Sequence, residues 1–206
     1  MGFDLHGISP SGTTIPEPDW KIDSQVQEYF ALQQNIAGAY FRNNVWWWHP
    51  LWAFVCSTCD DILDQKDMCA GESKSGQLIS GNKSLDIGLR LKKLLRNDVV
   101  VKYIEERDEK LKNLPQIKCT ICNGTGTRKA FRGWESKSKW LKYHTREGGD
   151  ATSMQCSYAH AKKCNGCNSC QGTGKVDNWA THYHISEKNV EEFARFCVAS
   201  GGFTIS

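Results

Sequence analysis

A short cysteine motif occurs twice in this chain of 206 residues and constrains its fold more than any other feature. Both copies read C-x-x-C-x-G-x-G, the first from Cys119 to Gly126 and the second from Cys167 to Gly174. Two thiolates separated by two residues can bind one metal ion from a tight turn, and the glycines let the backbone fold beneath the sulfur atoms. Because sulfur ligands favour zinc over magnesium or calcium, the pair predicts a closed, structural zinc site. Its four predicted ligands are Cys119, Cys122, Cys167 and Cys170.

The other cysteines leave alternatives open. Each C-x-x-C pair can also be interpreted as a redox dithiol. Cys164 begins a further C-x-x-C with Cys167, but the glycines after Cys170 favour the later pair, which leaves Cys164 as a spare or exchanging ligand. Three more cysteines are buried thiols, part of a second metal site, or a disulfide or redox pair. They are Cys56, Cys59 and Cys69.

The composition is that of an ordinary globular protein. The chain carries 26 Lys and Arg against 23 Asp and Glu, and 39% of its residues are hydrophobic, which excludes wholesale disorder. It contains no apolar run of the ~18 residues that a membrane span requires, and its first residues lack the pattern of a secretory signal. We therefore expect a cytoplasmic protein with no membrane partner, whose reduced thiols can bind metal.

The predicted fold class is α+β, namely a mainly helical domain with an inserted four-cysteine zinc module and a C-terminal strand–helix–strand. The helical, aromatic-rich region is expected over residues 1–116, and the zinc module with its basic insertion over 117–176. The C-terminal part, 177–206, is expected to pack back on the first region.

Capping residues and apolar spacing place the helices within these regions. Asp23 predicts the N-cap of a first helix, and Pro50 predicts the first turn of a second, since proline suits that position. Ser84 predicts the cap of a third helix and Ser186 the cap of the last one. The strands expected on either side of the last helix are 179–185 and 203–205.

The segment from Tyr40 to Trp52 is the most aromatic part of the sequence. Three consecutive tryptophans on a helix fan across about 200° of its surface, so at least one is expected to be partly exposed. Polar groups beside flat aromatic rings suit a pocket that stacks a base or nucleotide, whereas the alternative is a large aromatic core. The candidate ligand-binding residues are Arg42, Asn43, Asn44, Trp46, Trp47, Trp48 and His49.

A basic segment lies between the two cysteine motifs. Residues 128–146 contain seven Lys and Arg against one Glu, with aromatic residues interleaved. This pattern is typical of a surface that binds nucleic acid or another polyanion, and a solubilising loop is the alternative. The candidate binding residues here are Arg132, Lys139 and Lys142.

The cysteine motif resembles the cysteine-rich zinc region of DnaJ-type chaperones and the similar pair in late-gene antiterminators of lambdoid phages. The chain has two copies rather than the four of the chaperones and no His-Pro-Asp signature, so this resemblance covers the two motifs alone. Scattered blocks are similar to an uncharacterised family of small phage and bacterial proteins, which implies a phage or prophage-like origin and supplies no activity. These blocks are Gly2–Leu5, Tyr40–Trp48, Cys164–Cys167 and Val190–Ile205.

Three functional hypotheses follow from these features. The first is a zinc-stabilised, non-enzymatic protein of phage or bacterial origin that binds nucleic acid or a nucleotide-like anion. The second is a phage protein, acting in the host cytoplasm, that inhibits a host immune protein or sequesters its nucleotide signal. The third is a metal-dependent enzyme that uses His182 or His184. The chain contains no phosphate-binding loop, nucleophile elbow or metalloprotease motif, so no catalytic residue is assigned.

Overall fold

The computed structural model describes residues 2–73, 76–126, 167 and 169–206. The chain forms two compact units. Unit 1 contains residues 1–112 and 182–206, whereas unit 2 contains residues 113–181. The chain therefore enters unit 1, forms unit 2 and then returns to unit 1.

The described residues form a mixed α+β structure, as the sequence predicts. None of the described helices is long and apolar enough to cross a membrane. In chain order the helices are α1 (Asp23–Asn35), α2 (Val45–Thr58), α3 (Gln65–Ala70), α4 (Gly81–Arg96), α5 (Val99–Lys112) and α6 (Glu187–Ala199). The strands are β1 (Gly2–Gly7), β2 (Tyr40–Asn44), β3 (Leu78–Ile79), β4 (Ile117–Lys118), β5 (Lys175–Val176) and β6 (Phe203–Ile205).

Unit 1 contains a four-stranded sheet in the order β2-β1-β6-β3, and each neighbouring pair is antiparallel. Side chains alternate between its two faces because successive residues of a strand point in opposite directions. Phe3 and Leu5 of β1 are buried on the inner face, while Asp4 and His6 alternate with them on the outer face. The outer face therefore carries polar groups.

The core of unit 1 lies between the inner face of the sheet and helices α2, α4 and α6. The indole ring of Trp48 is fully buried and stacks on Trp52 and Phe3, with ring centroids 5.3 Å and 5.4 Å away. Buried indole N–H groups require acceptors. Trp48 donates to the carbonyl oxygen of Gly71 at 2.7 Å, and Trp52 donates to that of Met68 at 2.9 Å.

Helix α2 begins at Val45, five residues before the predicted start at Pro50. The side chain of Asn44 caps it by accepting hydrogen bonds from the backbone N–H groups of Trp46 and Trp47. Proline inside a helix removes the donor that would bond to the carbonyl four residues earlier, here that of Trp46. The backbone N–H of His184 donates to this carbonyl at 2.9 Å instead. The helix therefore continues through Pro50 while the Trp46 carbonyl keeps a hydrogen-bond donor.

Helix α4 also begins earlier than predicted, at Gly81, and Ser84 lies inside it rather than at its cap. Ser84 is fully buried, and its hydroxyl donates to the carbonyl oxygen of Cys197 in α6 at 2.8 Å. Gly88 lies at the same contact, where a Cβ atom would be 2.7 Å from Cγ2 of Val198. A serine and a glycine thus let α4 and α6 approach closely.

The C-terminal part follows the prediction over its helix and last strand. Ser186 caps α6 by accepting from the backbone N–H of Asn189 at 3.2 Å, and residues 203–205 form β6. The predicted strand over 179–185 is wrong, because Trp179–His182 form a short 3₁₀ helix. The side chain of Asn178 accepts from the backbone N–H of Ala180 at 3.0 Å. This local bond favours a turn over an extended strand.

Candidate metal centre and the other predicted site residues

The metal centre of unit 2 is built on a short antiparallel ribbon. Strand β4 pairs with β5, with Ile117 opposite Val176 and Lys118 opposite Lys175. The first cysteine motif, here called the first knuckle (residues 119–126), directly follows β4. The second motif, here called the second knuckle (residues 167–174), directly precedes β5. The ribbon therefore brings together two motifs that are far apart in the sequence.

The four predicted cysteines converge into one buried cluster. Each is no more than 6% exposed, and their sulfur atoms all lie within 4.8 Å of one another. The Sγ atoms of Cys119 and Cys167 are 3.9 Å apart, and those of Cys122 and Cys170 are 3.6 Å apart. Four sulfur atoms at about 2.3 Å from one tetrahedral ion would be about 3.8 Å apart. These two separations are close to that value, so the cluster could hold a metal ion.

The two knuckles have the same internal hydrogen bonds. In each, the second glycine of the motif donates its backbone N–H to the sulfur of the second cysteine at 3.3 Å, Gly126 to Cys122 and Gly174 to Cys170. Hydrogen bonds of this kind favour the thiolate over the thiol, because they stabilise negative charge on the acceptor. These N–H groups contact the sulfur atoms rather than the ion, and contacts of this kind tune the affinity of a metal site.

Reciprocal hydrogen bonds also join one knuckle to the other. The backbone N–H of Cys119 donates to the carbonyl oxygen of Gly174 at 2.8 Å, and that of Cys167 donates to Gly126 at 2.6 Å. Gly126 and Gly174 have positive φ angles of 72° and 75°. A Cβ atom at Gly126 would lie 2.2 Å from the carbonyl oxygen of Gly172. This close approach between the knuckles requires glycine.

The protein environment acts differently on the two thiols of the first knuckle. The backbone N–H of Cys122 lowers the pKa of Cys119 to about 7. Burial raises the pKa of Cys122 above its ordinary value. All four cysteines are free thiols with sulfur separations well beyond a disulfide bond. The cluster is thus arranged as a set of soft ligands for one ion.

Among the described residues, this cluster is the only group of three or more cysteine, histidine or acidic side chains placed to share a metal ion. Cys56, Cys59 and Cys69, for which a second metal site was one interpretation, are free thiols. Burial raises the pKa of Cys56 to about 12, so its sulfur remains a neutral thiol at physiological pH. Cys164 lies outside the described residues.

The three consecutive tryptophans point in different directions, as helical spacing predicts. Trp48 is buried in the core, whereas Trp46 remains 39% exposed. The Trp46 ring contacts that of Tyr183, with centroids 5.0 Å apart, and the Trp47 ring contacts that of His184 at 5.4 Å. An exposed aromatic surface and a buried aromatic core therefore both occur in this segment.

The polar candidates beside the tryptophans have separate structural partners. Asn44 caps α2, and the buried Asn43 donates to Oδ1 of Asn189 at 2.9 Å. Nδ1 of His49 lies 3.4 Å from the Glu72 carboxylate, and the exposed Arg42 faces Asp4. Their ligand-binding role stays a prediction. The basic candidates Arg132, Lys139 and Lys142 lie outside the described residues.

Sequence reasoning missed one polar cleft on the outer face of the sheet. Asp4, His6 and Tyr40 line it together with Arg42. The sequence feature that indicates this polar face is the alternation in β1, where apolar Phe3 and Leu5 separate polar residues. That alternation predicts a one-sided strand but does not show what covers its polar side.

No family model, no curated protein and no solved structure matches this chain. The candidate metal centre is therefore supported by its own geometry, namely four buried thiols within 4.8 Å of one another in two equivalent knuckles.

Proposed function

We propose that the protein is a zinc-stabilised, non-enzymatic binding protein and that the basic segment between its knuckles binds nucleic acid. The observation that carries the proposal is the buried cluster of four cysteine sulfurs. Four thiolates fill every position of a tetrahedral ion, so such a site stabilises a fold and leaves no coordination position for a substrate.

The donor set supports zinc as the ion. The sulfur separations of 3.6 Å and 3.9 Å fit the about 3.8 Å expected for zinc bound by four thiolates. The N–H donors of Gly126 and Gly174 partly neutralise the charge of such a complex. When bound, zinc would supply folding free energy to unit 2, whose described strands are only two residues long.

The position of the basic segment supports its role in binding. The 2.6 Å hydrogen bond from Cys167 to Gly126 holds together the two chain positions from which residues 127–166 leave and return. That stretch contains the seven basic residues within 128–146. A dense positive charge with interleaved aromatic residues suits a phosphate backbone with stacked bases.

The metal half of the proposal is tested by zinc content. We expect native mass spectrometry of the reduced protein to find one zinc ion per chain, and Cys170→Ser to lose it. Cys69→Ser removes an exposed thiol outside the cluster and is the matched control, expected to keep one zinc ion. A wild-type chain without zinc, or a Cys170→Ser variant that keeps it, would contradict the proposal.

The nucleic-acid half is tested by fluorescence anisotropy with a single-stranded and a duplex oligonucleotide over a series of salt concentrations. In the double variant Lys139→Glu/Lys142→Glu we expect the affinity to fall about tenfold or more. The slope of log affinity against log salt concentration should become shallower by an amount that corresponds to about two phosphate contacts. The control, Lys102→Glu/Lys110→Glu, makes the same change in net charge at exposed lysines of α5. Equal losses in both variants would assign binding to net charge rather than to the basic segment. No binding by the zinc-loaded wild type would exclude a nucleic-acid function.

A further inference from the structure

A cleft of about 480 Å³ lies between α1 and the outer face of the sheet in unit 1. Its floor is formed by Asp4 and His6 of β1 and by Tyr40 and Arg42 of β2, which are cross-strand neighbours. Helix α1 contributes Phe30, whose side chain is 49% exposed. The volume is within the range of small-molecule sites, about 300–1,000 Å³.

Hydrogen bonds hold the floor of this cleft in one arrangement. The Tyr40 hydroxyl donates to Oδ1 of Asp4, and the Arg42 guanidinium lies 3.5 Å from the same oxygen. The amide nitrogen of Gln33, a buried residue of α1, lies 3.1 Å from Nδ1 of His6 and 2.8 Å from the Tyr29 hydroxyl. These two contacts of the Gln33 amide fix the orientation of the His6 ring at the edge of the cleft.

The protonation states of these groups follow from their contacts. An amide nitrogen can only donate, so Nδ1 of His6 accepts and the ring proton lies on Nε2. Burial lowers the pKa of His6, which keeps the ring neutral at physiological pH. Burial and the hydrogen bond to Asp4 raise the pKa of Tyr40 to about 12, so its hydroxyl stays protonated. His6 and Tyr40 are therefore both uncharged in the cleft, and Nε2–H of His6 is a hydrogen-bond donor.

The remaining hydrogen-bonding capacity defines the ligand. Oδ2 of Asp4 accepts no hydrogen bond from the part of the chain that the structure describes. Nε2–H of His6 is a donor on the same face of β1, two residues from Asp4, which is about 6.6 Å along the strand. The Asp4 carboxylate repels a simple anion such as phosphate, whereas Arg42 repels a simple cation. A neutral ring that carries both N–H donors and ring acceptors can bond to the Asp4 acceptor and to the His6 donor. Phe30 offers such a ring an aromatic surface.

We propose that this cleft binds a nucleoside, with the base against Phe30 and its amino group donating to Asp4. Carboxylate acceptors and aromatic stacking are general means by which proteins bind unpaired bases. This site belongs wholly to unit 1 and is distinct from the basic segment of unit 2. It goes beyond the nucleic-acid function proposed above, because it recognises a small neutral molecule by hydrogen bonds rather than a polyanion by charge.

Isothermal titration calorimetry with adenosine, guanosine, cytidine, uridine and inorganic phosphate tests the proposal. We expect one binding site per chain for at least one of the three nucleosides whose base carries an amino group. Uridine presents carbonyl oxygens on both sides of its single N–H, so the Asp4 carboxylate disfavours it and we expect its binding to be about tenfold weaker or more. Inorganic phosphate should not bind in this cleft.

Two pairs of variants locate the site. Asp4→Asn should weaken nucleoside binding about tenfold or more, whereas Asp86→Asn, the same change at an exposed position of α4, should leave it unchanged. Phe30→Ala should weaken binding about fivefold or more through lost stacking, and Leu85→Ala is its exposed control. Phe30 is half exposed, so we expect Phe30→Ala to fold. This variant therefore tests the site even if Asp4→Asn does not fold.

Three results would overturn the proposal. They are the absence of binding by any nucleoside, full affinity of folded Asp4→Asn and Phe30→Ala variants, and phosphate competing with the nucleoside. Zinc content and oligonucleotide affinity should be unchanged in both variants. A wild-type protein that binds a nucleoside but no zinc or oligonucleotide would instead contradict only the function proposed for unit 2.

Discussion

The backbone N–H of His184 donates a hydrogen bond to the carbonyl oxygen of Trp46 at 2.9 Å, in the place left by the missing N–H of Pro50. A loop that precedes α6 thus completes the hydrogen bonding of α2. In the same contact the exposed Trp46 ring packs on Tyr183, and the half-buried Trp47 ring packs on His184, so the loop lies against the first turn of α2. Helix α2 and this loop should therefore be coupled in stability.

A double-mutant cycle measures this coupling. His184→Pro removes the donor and leaves the Trp46 carbonyl unpaired, so we expect it to lower the free energy of unfolding by about 1–3 kcal/mol. In a Pro50→Ala background the restored N–H of residue 50 can bond to Trp46, and the loss should be about 1 kcal/mol smaller. His184→Ala keeps the backbone N–H and shows the contribution of the ring alone. Additive losses in urea unfolding would show that the two sites are independent.

The glycines of the knuckles provide a second prediction. Gly126→Ala would place a Cβ atom 2.2 Å from the Gly172 carbonyl, so the knuckles must separate and zinc affinity should fall about tenfold or more. Gly12→Ala is the control, because Gly12 also has a positive φ angle, of 76°, but no atom lies within 4 Å of its added Cβ. Competition with a chromogenic zinc chelator measures both. Equal zinc affinities would show that the close approach of the knuckles does not shape the site.

The contact between α4 and α6 should be intolerant of a single methyl group. In Gly88→Ala the new Cβ would lie 2.7 Å from Val198 Cγ2 and 2.9 Å from the Ala194 carbonyl oxygen. Although alanine favours helices, we expect the variant to lose about 1–3 kcal/mol of stability through overpacking. Leu89→Ala, at the neighbouring exposed position, should change stability by about 0.5 kcal/mol or less. A more stable Gly88→Ala variant would show that the helices can shift apart at little cost.

The N-terminus of α3 should respond to acid. Asp64 caps this helix, and its hydrogen bond with Lys83 lowers the pKa of its carboxyl group from 3.8 to about 2. Since the folded-state pKa is the lower one, the carboxylate stabilises the fold fully above about pH 4 and loses this effect as the pH falls toward 2. Lys83→Met should raise the pKa of Asp64 toward 3.8, whereas Lys93→Met should not. Carbon NMR titration of the carboxyl group measures both, and an unchanged value in Lys83→Met would contradict this assignment.

The part of the structure that the sequence predicts best is the part held by local contacts. Each half of the cysteine cluster is an eight-residue motif whose turn and glycines are specified within the motif, and the repetition of the motif indicates that two halves far apart in the sequence share one ion. The cap of α6 by Ser186 is likewise a bond to a residue three positions away. In such cases the chain neighbours of a residue are also its contacts, so spacing is informative.

Two of the wrong predictions involve partners distant in sequence, whereas the strand predicted over 179–185 is replaced by a turn with a local hydrogen bond. Helix α2 runs through Pro50, where His184, far along the chain, replaces the missing donor. Ser84 resembles a cap, but its hydroxyl bonds to α6 across the core. The polar cleft required Gln33 of α1 to meet His6 of β1, and neither residue type signals the other. A sequence pattern shows which face of a strand is polar but not which element lies against it.

The order of the strands has a consequence for synthesis. Strand β6 lies between β1 and β3 in the sheet, yet it is translated after the whole of unit 2. On the ribosome, β1 and β3 must therefore wait without their shared neighbour while residues 113–181 emerge. The cysteine cluster can assemble during that interval, because its two knuckles and the strands β4 and β5 that join them all lie within residues 113–181. The nascent chain would thus complete its second unit before its first.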